Sequence, residues 1–379
     1  TVASEQVEGE ASYALKELRD ALDTSNIDCR QDGAKLDNKT RASYLFNTSI
    51  AGIEEADAVL IVGSNPRWEA PILNARLRKR WLTGKMKVGV IGETLRLTYD
   101  YEYLGAGPET LKEVAEGKHD FAKVLKDAEN PMIIVGAGAV AREDGAQVLA
   151  AAKKVADTTG MIKDGWNGFN LLQRAASRVG GLDIGFLPGE GGRDVAGILD
   201  GAEKGDIKVV YLLDADEIDT SKLKDAFVIY QGHHGDAGAK VADVILPGAA
   251  YTEKSGTYVN TEGRVQVGRR AAFAPGEGRE DWTILRALSE RLGKTLPYDN
   301  LTDLRIKLRG EFPHLAEIDA APTAEWGDFG VDGAVKADAF QSPVENFYMT
   351  CAISRASKTM AQCTEEILLN AKEVTGTNG

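Results

Sequence analysis

Apolar and polar positions alternate along the chain in two distinct textures. Short β-like, mostly apolar runs at 58–62, 87–91, 132–135, 208–213 and 226–230 read as strands. Because such runs leave no polar face, they predict a mainly parallel sheet covered on both sides. Between them, apolar residues recur at helical spacing over 11–22, 69–83, 144–157 and 281–292. The last stretch is the best signalled: Asp281 is placed to cap it, Ile284, Leu285, Leu288 and Leu292 form one apolar stripe, and Gly293 can end it. Alternating strands and helices of this kind predict a doubly wound α/β architecture.

A polar, helix-breaking junction at 129–131 precedes a fresh strand, so one lobe is expected over 1–129 and a second over 130–310. Helix 11–22 follows a short polar lead with no strand before it, so the first lobe reads as truncated at its start. From residue 311 the periodicity fades. Pro313, Pro322, Pro343 and five glycines between Gly327 and Gly379 predict an extended tail over 311–379 with one late helix at 357–371. Phe340, Phe347, Tyr348, Met349 and Ile353 are too apolar for a free linker, which places the tail against another surface.

Composition narrows the functional classes. At 379 residues the chain is long for a single core, and 43% hydrophobic with 27% charged residues is ordinary globular usage. A formal charge of −13 opposes nucleic-acid binding, which depends on lysine and arginine neutralising phosphates. No apolar run exceeds five residues and the start lacks a signal-peptide pattern, so the expectation is a chain with no direct membrane insertion, free or held to a membrane by partners. Cys29, Cys351 and Cys363 show no paired spacing. That argues against a disulfide framework and for a reducing compartment, and three thiols fall short of the four an iron–sulfur cluster usually takes. His233 and His234 are adjacent, which suits a loop better than a metal site.

Several local patterns bear on ligands. Gly63-Ser64-Asn65-Pro66 follows a strand and opens a helix with Pro71 in its first turn, the geometry of an anion site and equally of a tight turn. Gly136-x-Gly138-x-x-Ala141 fits a dinucleotide fingerprint, but Asp157, the acid at a suitable distance, falls within a helix rather than at a strand end; turn glycines are the favoured reading. Arg76, Lys79 and Arg80, with Arg67 nearby, make a basic helix face that is either solvated or a dock for an acidic partner. Segments 258–259 and 265–267 look like hairpin arms joined by Asn260-Thr261-Glu262-Gly263, with Gly263 in a left-handed position.

The stretch from Asp243, Leu246 and Pro247 through Glu253, Gly256, Thr257, Asn260, Glu262, Gly263 and Arg264 resembles the molybdopterin oxidoreductase family, in which D-x-[VI]-L-P is followed by E-x-x-G-T-x-x-N-x-E-G-R. Gly63-Ser64-Asn65-Pro66 is similar to that family's first guanine-nucleotide loop. Within the family, the segments 230–236, 278–282, 346–350 and 354–363 are similar to the large iron–sulfur subunits of respiratory complex I, and the resemblance covers nearly the whole chain. It implies two doubly wound lobes of the family's type. It also implies a structural, partner-binding and itself noncatalytic portion of an NADH:quinone oxidoreductase subunit. The 2Fe–2S and 4Fe–4S clusters would then belong to cysteine-rich domains upstream, and the partners would be other peripheral-arm subunits. The location would be a peripheral membrane complex on the cytoplasmic face of a bacterial inner membrane or the matrix face of the mitochondrial one.

The rival reading is an active molybdenum oxidoreductase such as a formate dehydrogenase; a third is a free NAD-binding protein using Gly136 and Gly138. The second nucleotide loop separates them, since active family members place a glycine and Asn-Pro there and this chain has Asp214-Ala215-Asp216-Glu217. Three carboxylates facing a phosphate would be repelled: a like-charge pair ~4 Å apart costs about 4 kcal/mol at an effective dielectric near ~20, against about 0.3–2 kcal/mol returned by a helix end. Gly63, Ser64, Asn65, Pro66, Asp214, Ala215 and Asp216 are therefore expected to be vestigial loops, and Asn260, Glu262, Gly263 and Arg264 a structural motif. No catalytic, cofactor-binding or metal-ligating residue is expected in the chain.

Overall fold

Each predicted apolar run forms a strand, with ends displaced by no more than two residues: Ala58–Val62, Lys87–Ile91, Pro131–Val135, Val209–Leu213 and Phe227–Gly232. The computed structural model, which describes residues 1–369, divides them between two α/β units. One unit comprises Thr1–Gly33, Ala175–Pro322 and Cys351–Ala356. The other comprises Ala34–Arg174, Thr323–Thr350 and the residues from Ser357.

The sheet of the second unit is parallel throughout, in the order Glu102–Gly105, Lys87–Ile91, Ala58–Val62, Pro131–Val135, Phe169–Leu171. Its central strands are buried at every position, as a sheet covered on both faces requires. The chain runs outward from Ala58–Val62 to one edge, then returns to the other side with Pro131–Val135. That reversal makes a topological switch point, where ligands bind in open α/β sheets. The first unit has a four-stranded parallel sheet, Val2–Ala3, Val209–Leu213, Phe227–Gly232 and Val244–Pro247, beside an antiparallel hairpin of Gly256–Val259 and Val265–Gly268.

Five expectations about the fold need correcting. The boundary at 129–130 falls inside a unit, because Pro131–Val135 pairs along its whole length with Ala58–Val62. The polar junction is a turn, in which the Asp57 carboxylate accepts from the Glu129 and Asn130 amides at 2.7 Å each. A strand does precede the first helix, Gly9–Ala21: Val2–Ala3 pairs with Leu212 and Leu213. The predicted helix 69–83 is two, Pro66–Glu69 and Pro71–Trp81, since the residue before a proline is driven out of the helical region and Ala70 sits at φ −148°. Asp281 is the first residue of helix Asp281–Arg291 rather than its cap, and its carboxylate is committed elsewhere.

Nor is 311–379 one extended tail. Helix Leu301–Glu311 leads into a short turn, Pro313–Ala316, and 323–350 packs as part of the second unit. There Trp326 and Phe329 lie against Phe169, with ring centroids 5.4 and 5.1 Å away, and Phe340 is fully buried. The late helix runs as Lys358–Cys363 and continues in π-helical form over Thr364–Leu369; Asn370 and Ala371 lie outside the described residues.

The hairpin turn is organised as its local sequence predicts. Asn260 Oδ1 accepts from the Glu262 and Arg264 amides at 3.1 and 2.9 Å, and Gly263 sits at φ +80°. Glu262 accepts from Arg264 Nε at 2.8 Å, and the Arg264 guanidinium also bonds the Asp319 carbonyl. A side chain with a branched Cβ is strained at that φ, so Gly263→Val lowers stability by about 1–3 kcal/mol. A urea midpoint identical to the parent chain's would refute the turn assignment.

Candidate functional site

At the switch point of the second unit, the loops after Ala58–Val62 and Pro131–Val135 stand side by side. Gly63 turns the chain at φ +58°, and a Cβ there would lie 2.7 Å from Ala139 N, so the two loops touch as backbone. Asn65 accepts from Arg67 N at 3.3 Å, which takes one of the amides a helix start would offer an anion. Glu69 reaches across to the neighbouring loop: one carboxylate oxygen accepts from Ser64 Oγ at 2.6 Å, the other from Ala137 N, at the start of the turn of helix after Pro131–Val135, at 2.7 Å.

The glycine fingerprint at 136–141 is filled from a second direction. A Cβ on Gly138 would lie 2.2 Å from the Gln341 carbonyl oxygen and 2.7 Å from that of Gly63. Residues 336–342 cross the carboxyl ends of the strands as a strap. Phe340 N donates to Ala106 O at 2.8 Å, and Lys336 N to Asp144 Oδ2 at 2.6 Å. Arg142 donates to the Asp338 and Ala339 carbonyls at 2.8 and 3.3 Å while its guanidinium lies over the Phe340 ring. The same guanidinium, bonded to Asp144, holds that carboxyl below its usual range. A dinucleotide needs the Ala137 N–H and the space beside Gly138, so this loop does not fit one.

In the first unit the loop after Val209–Leu213 repeats the theme. Asp214 occupies the left-handed position at φ +53°, which aspartate tolerates better than most residues. The expectation that three carboxylates project together toward a ligand is not met, because each is spent on a neighbour. Asp214 Oδ2 lies 3.1 Å from His233 Nε2; burial alone would push the imidazole down, but this carboxylate outweighs it and His233 is raised. Asp216 accepts from Tyr230 Oη and from Gly238 N, both at 2.8 Å. Burial pushes its carboxyl up against the pull of those two donors. Glu217 accepts from Arg355 Nη2 at 2.6 Å and Gln31 Nε2 at 3.1 Å, and Arg355 Nε also reaches Asp236 at 2.5 Å. Ala215 is fully buried between them in sequence.

The motif stretch beyond the loop is bound to the first helix by buried charge. Glu10 accepts from Thr257 N and Oγ1 and from Arg305 Nε, all at 2.7 Å. Lys254 lies buried between Glu8, at 2.7 Å, and Asp281. The basic face of Pro71–Trp81 is largely consumed within the chain: Arg76 and Lys79 grip Glu54 at 2.6 and 2.7 Å, and Arg80 donates to Ala56 O at 2.7 Å. Burial pushes the Cys29 thiol up to about 12. Cys351 and Cys363 belong to different units, the first and the second respectively. Sequence reading assigned no role to Glu69, Lys254 or Arg355, because no local pattern marks the partners they meet.

Two parallel sheets with paired loops at the carboxyl ends of their strands, one of them beside this hairpin, make an α/β architecture, and a family model described as molybdopterin oxidoreductase matches residues 1–291. The chain belongs to that family. Within it, residues 321–363 match the model for the C-terminal region of the G-type subunit of NADH-ubiquinone oxidoreductase. The chain is 44% identical over 366 residues to the mitochondrial NADH dehydrogenase (ubiquinone) iron-sulfur protein 1 of Solanum tuberosum, covering 96% of this chain and 48% of that protein. It is 42% identical over 356 residues to an NADH-quinone oxidoreductase subunit of Rickettsia bellii, covering 94% and 51%. The chain thus spans about half the length of the curated relatives it matches.

Proposed function

We propose that this chain is the structural, partner-binding portion of the large iron–sulfur subunit of an NADH:quinone oxidoreductase, and that it transfers no electrons itself. The names of the relatives support the assembly, and the match at 321–363 supports its subunit. One observation carries the noncatalytic reading. In both units a carboxylate of the chain, Glu69 on Ala137 N and Asp216 on Gly238 N, holds an amide at a helix start beside a nucleotide-type loop. A phosphate at either place would have to displace a charge-assisted hydrogen bond and then face the carboxylate it displaced. On this reading the 2Fe–2S and 4Fe–4S clusters belong to the portion of the relatives that this chain does not span. Its partners are other peripheral-arm subunits, and the complex faces the bacterial cytoplasm or the mitochondrial matrix.

The test is to express the chain in a host that makes the molybdenum cofactor, then measure metal content and extract nucleotides. The expected result is less than stoichiometric molybdenum, guanine nucleotide and NAD. Stoichiometric molybdenum with guanine nucleotide would overturn the reading in favour of an active oxidoreductase.

A further inference from the structure

The sheet of the first unit ends on Val244–Pro247, and that edge is poorly covered for a strand of its composition. Continuous apolar strands of parallel sheets are normally buried on both faces. Here Val244 is 37% exposed and Ile245 54% exposed. The neighbouring helix Asp281–Arg291 turns Asp281, Trp282, Leu285 and Ser289 inward. The rest of its apolar stripe is left at the surface: Ile284 and Leu288 are half-buried, and Leu292, just past the helix, is 47% exposed. Strand and helix bound an open groove of about 470 Å³, lined by Leu246, Ile284, Ala287 and Leu288 with Arg279 and Arg291.

We infer that this groove is the docking site for an amphipathic helix of another polypeptide, one with carboxylates flanking its apolar stripe. The inference rests on the assembly reading above. Ile284, Ala287, Leu288 and Arg291 stand at i, i+3, i+4 and i+7, the ridge spacing onto which a second helix packs. A helix there would supply the cover the edge strand lacks. Extended-strand addition has less to hold: Pro247 has no N–H, and its carbonyl already accepts from Arg279 N at 3.1 Å. Charge selects the partner. In a chain of net charge −13 this groove is lined by two arginines and no acid. Glu277 approaches Arg279 only at 3.4 Å with both side chains exposed, a contact an incoming carboxylate can replace. A second copy of this chain docking by the same face would set arginine rim against arginine rim.

The test uses the respiratory complex purified through the full-length subunit. Hydrogen exchange at 244–246 and 284–292 should slow roughly tenfold or more in the complex relative to the free subunit. A photocrosslinker at the exposed Ala287 should join a Glu- or Asp-bearing helix of a different subunit, and Ala287→Glu should abolish that protection while Ala287→Gln keeps it. A subunit that enters the complex with this face still unprotected, or crosslinked to itself or to a second copy, overturns the docking site alone. Absence of the subunit from the complex overturns the assembly reading and the docking site with it.

Discussion

Lys254→Met destabilises the chain by about 3–5 kcal/mol, because removing one partner of a buried ion group leaves the others uncompensated. Lys254 is the cation between Glu8 and Asp281, and all three side chains are almost wholly buried. Methionine keeps most of the volume, so the loss reports charge rather than packing. Its pH dependence follows from Glu8. Burial pushes that carboxyl from 4.5 to about 7, Lys254 opposes the rise, and Asp281 adds to it. A carboxyl whose folded pKa is raised contributes stability fully present below its unfolded pKa and lost as pH rises through the folded one. Without Lys254 the folded pKa rises further, so the variant keeps losing stability at higher pH than the parent. The deficit should therefore widen between pH 5 and pH 8, and Glu8→Gln in the same chain should recover part of it. Denaturant midpoints at the two pH values provide the measurement; a deficit that does not change with pH would show that charge is not its cause.

Phe340→Ala releases the strap over the second unit. Truncating a fully buried phenylalanine costs about 3–5 kcal/mol where the surroundings cannot collapse. Residues 336–342 are held otherwise by few bonds, chiefly from Arg142 and to Asp144 and Ala106. The loss should therefore appear as local opening rather than global unfolding. Exchange of the Lys336 and Phe340 amides should quicken roughly a hundredfold to a few thousandfold, since each ~1.4 kcal/mol is a factor of ten. The amides of Ala58–Val62 should change far less. Unaltered exchange at 336 and 340 would show that the ring does not hold the strap in place.

The strap also illustrates what the sequence made legible. The apolar content of 340–353 announced that the tail packs against something, and the structure puts Phe340 on the chain's own second unit. The hairpin was readable to the residue, because Asn260, Glu262, Gly263 and Arg264 interact across four positions or fewer. The stripe on 281–292 was readable as apolar, yet which part of it packs depends on how the helix sits on Val244–Pro247. The basic face at Arg76 and Lys79 could be seen, but not that Glu54 neutralises it.

The five apolar-run strands, the helices near 11–22, 144–157 and 281–292, and the family likeness come from the sequence by itself, because each rests on local periodicity or on a motif of neighbouring residues. Only the tertiary structure decided where the units divide and how the two loops are closed. The division depends on Val2–Ala3 pairing with Leu212 and Leu213, and on Pro131–Val135 pairing with Ala58–Val62. Glu69 meets Ala137, and Asp216 meets Gly238, only once strand order has brought one loop beside another. Burial and hydrogen bonding reward such encounters whatever the separation along the chain, and no local pattern records which encounter will occur.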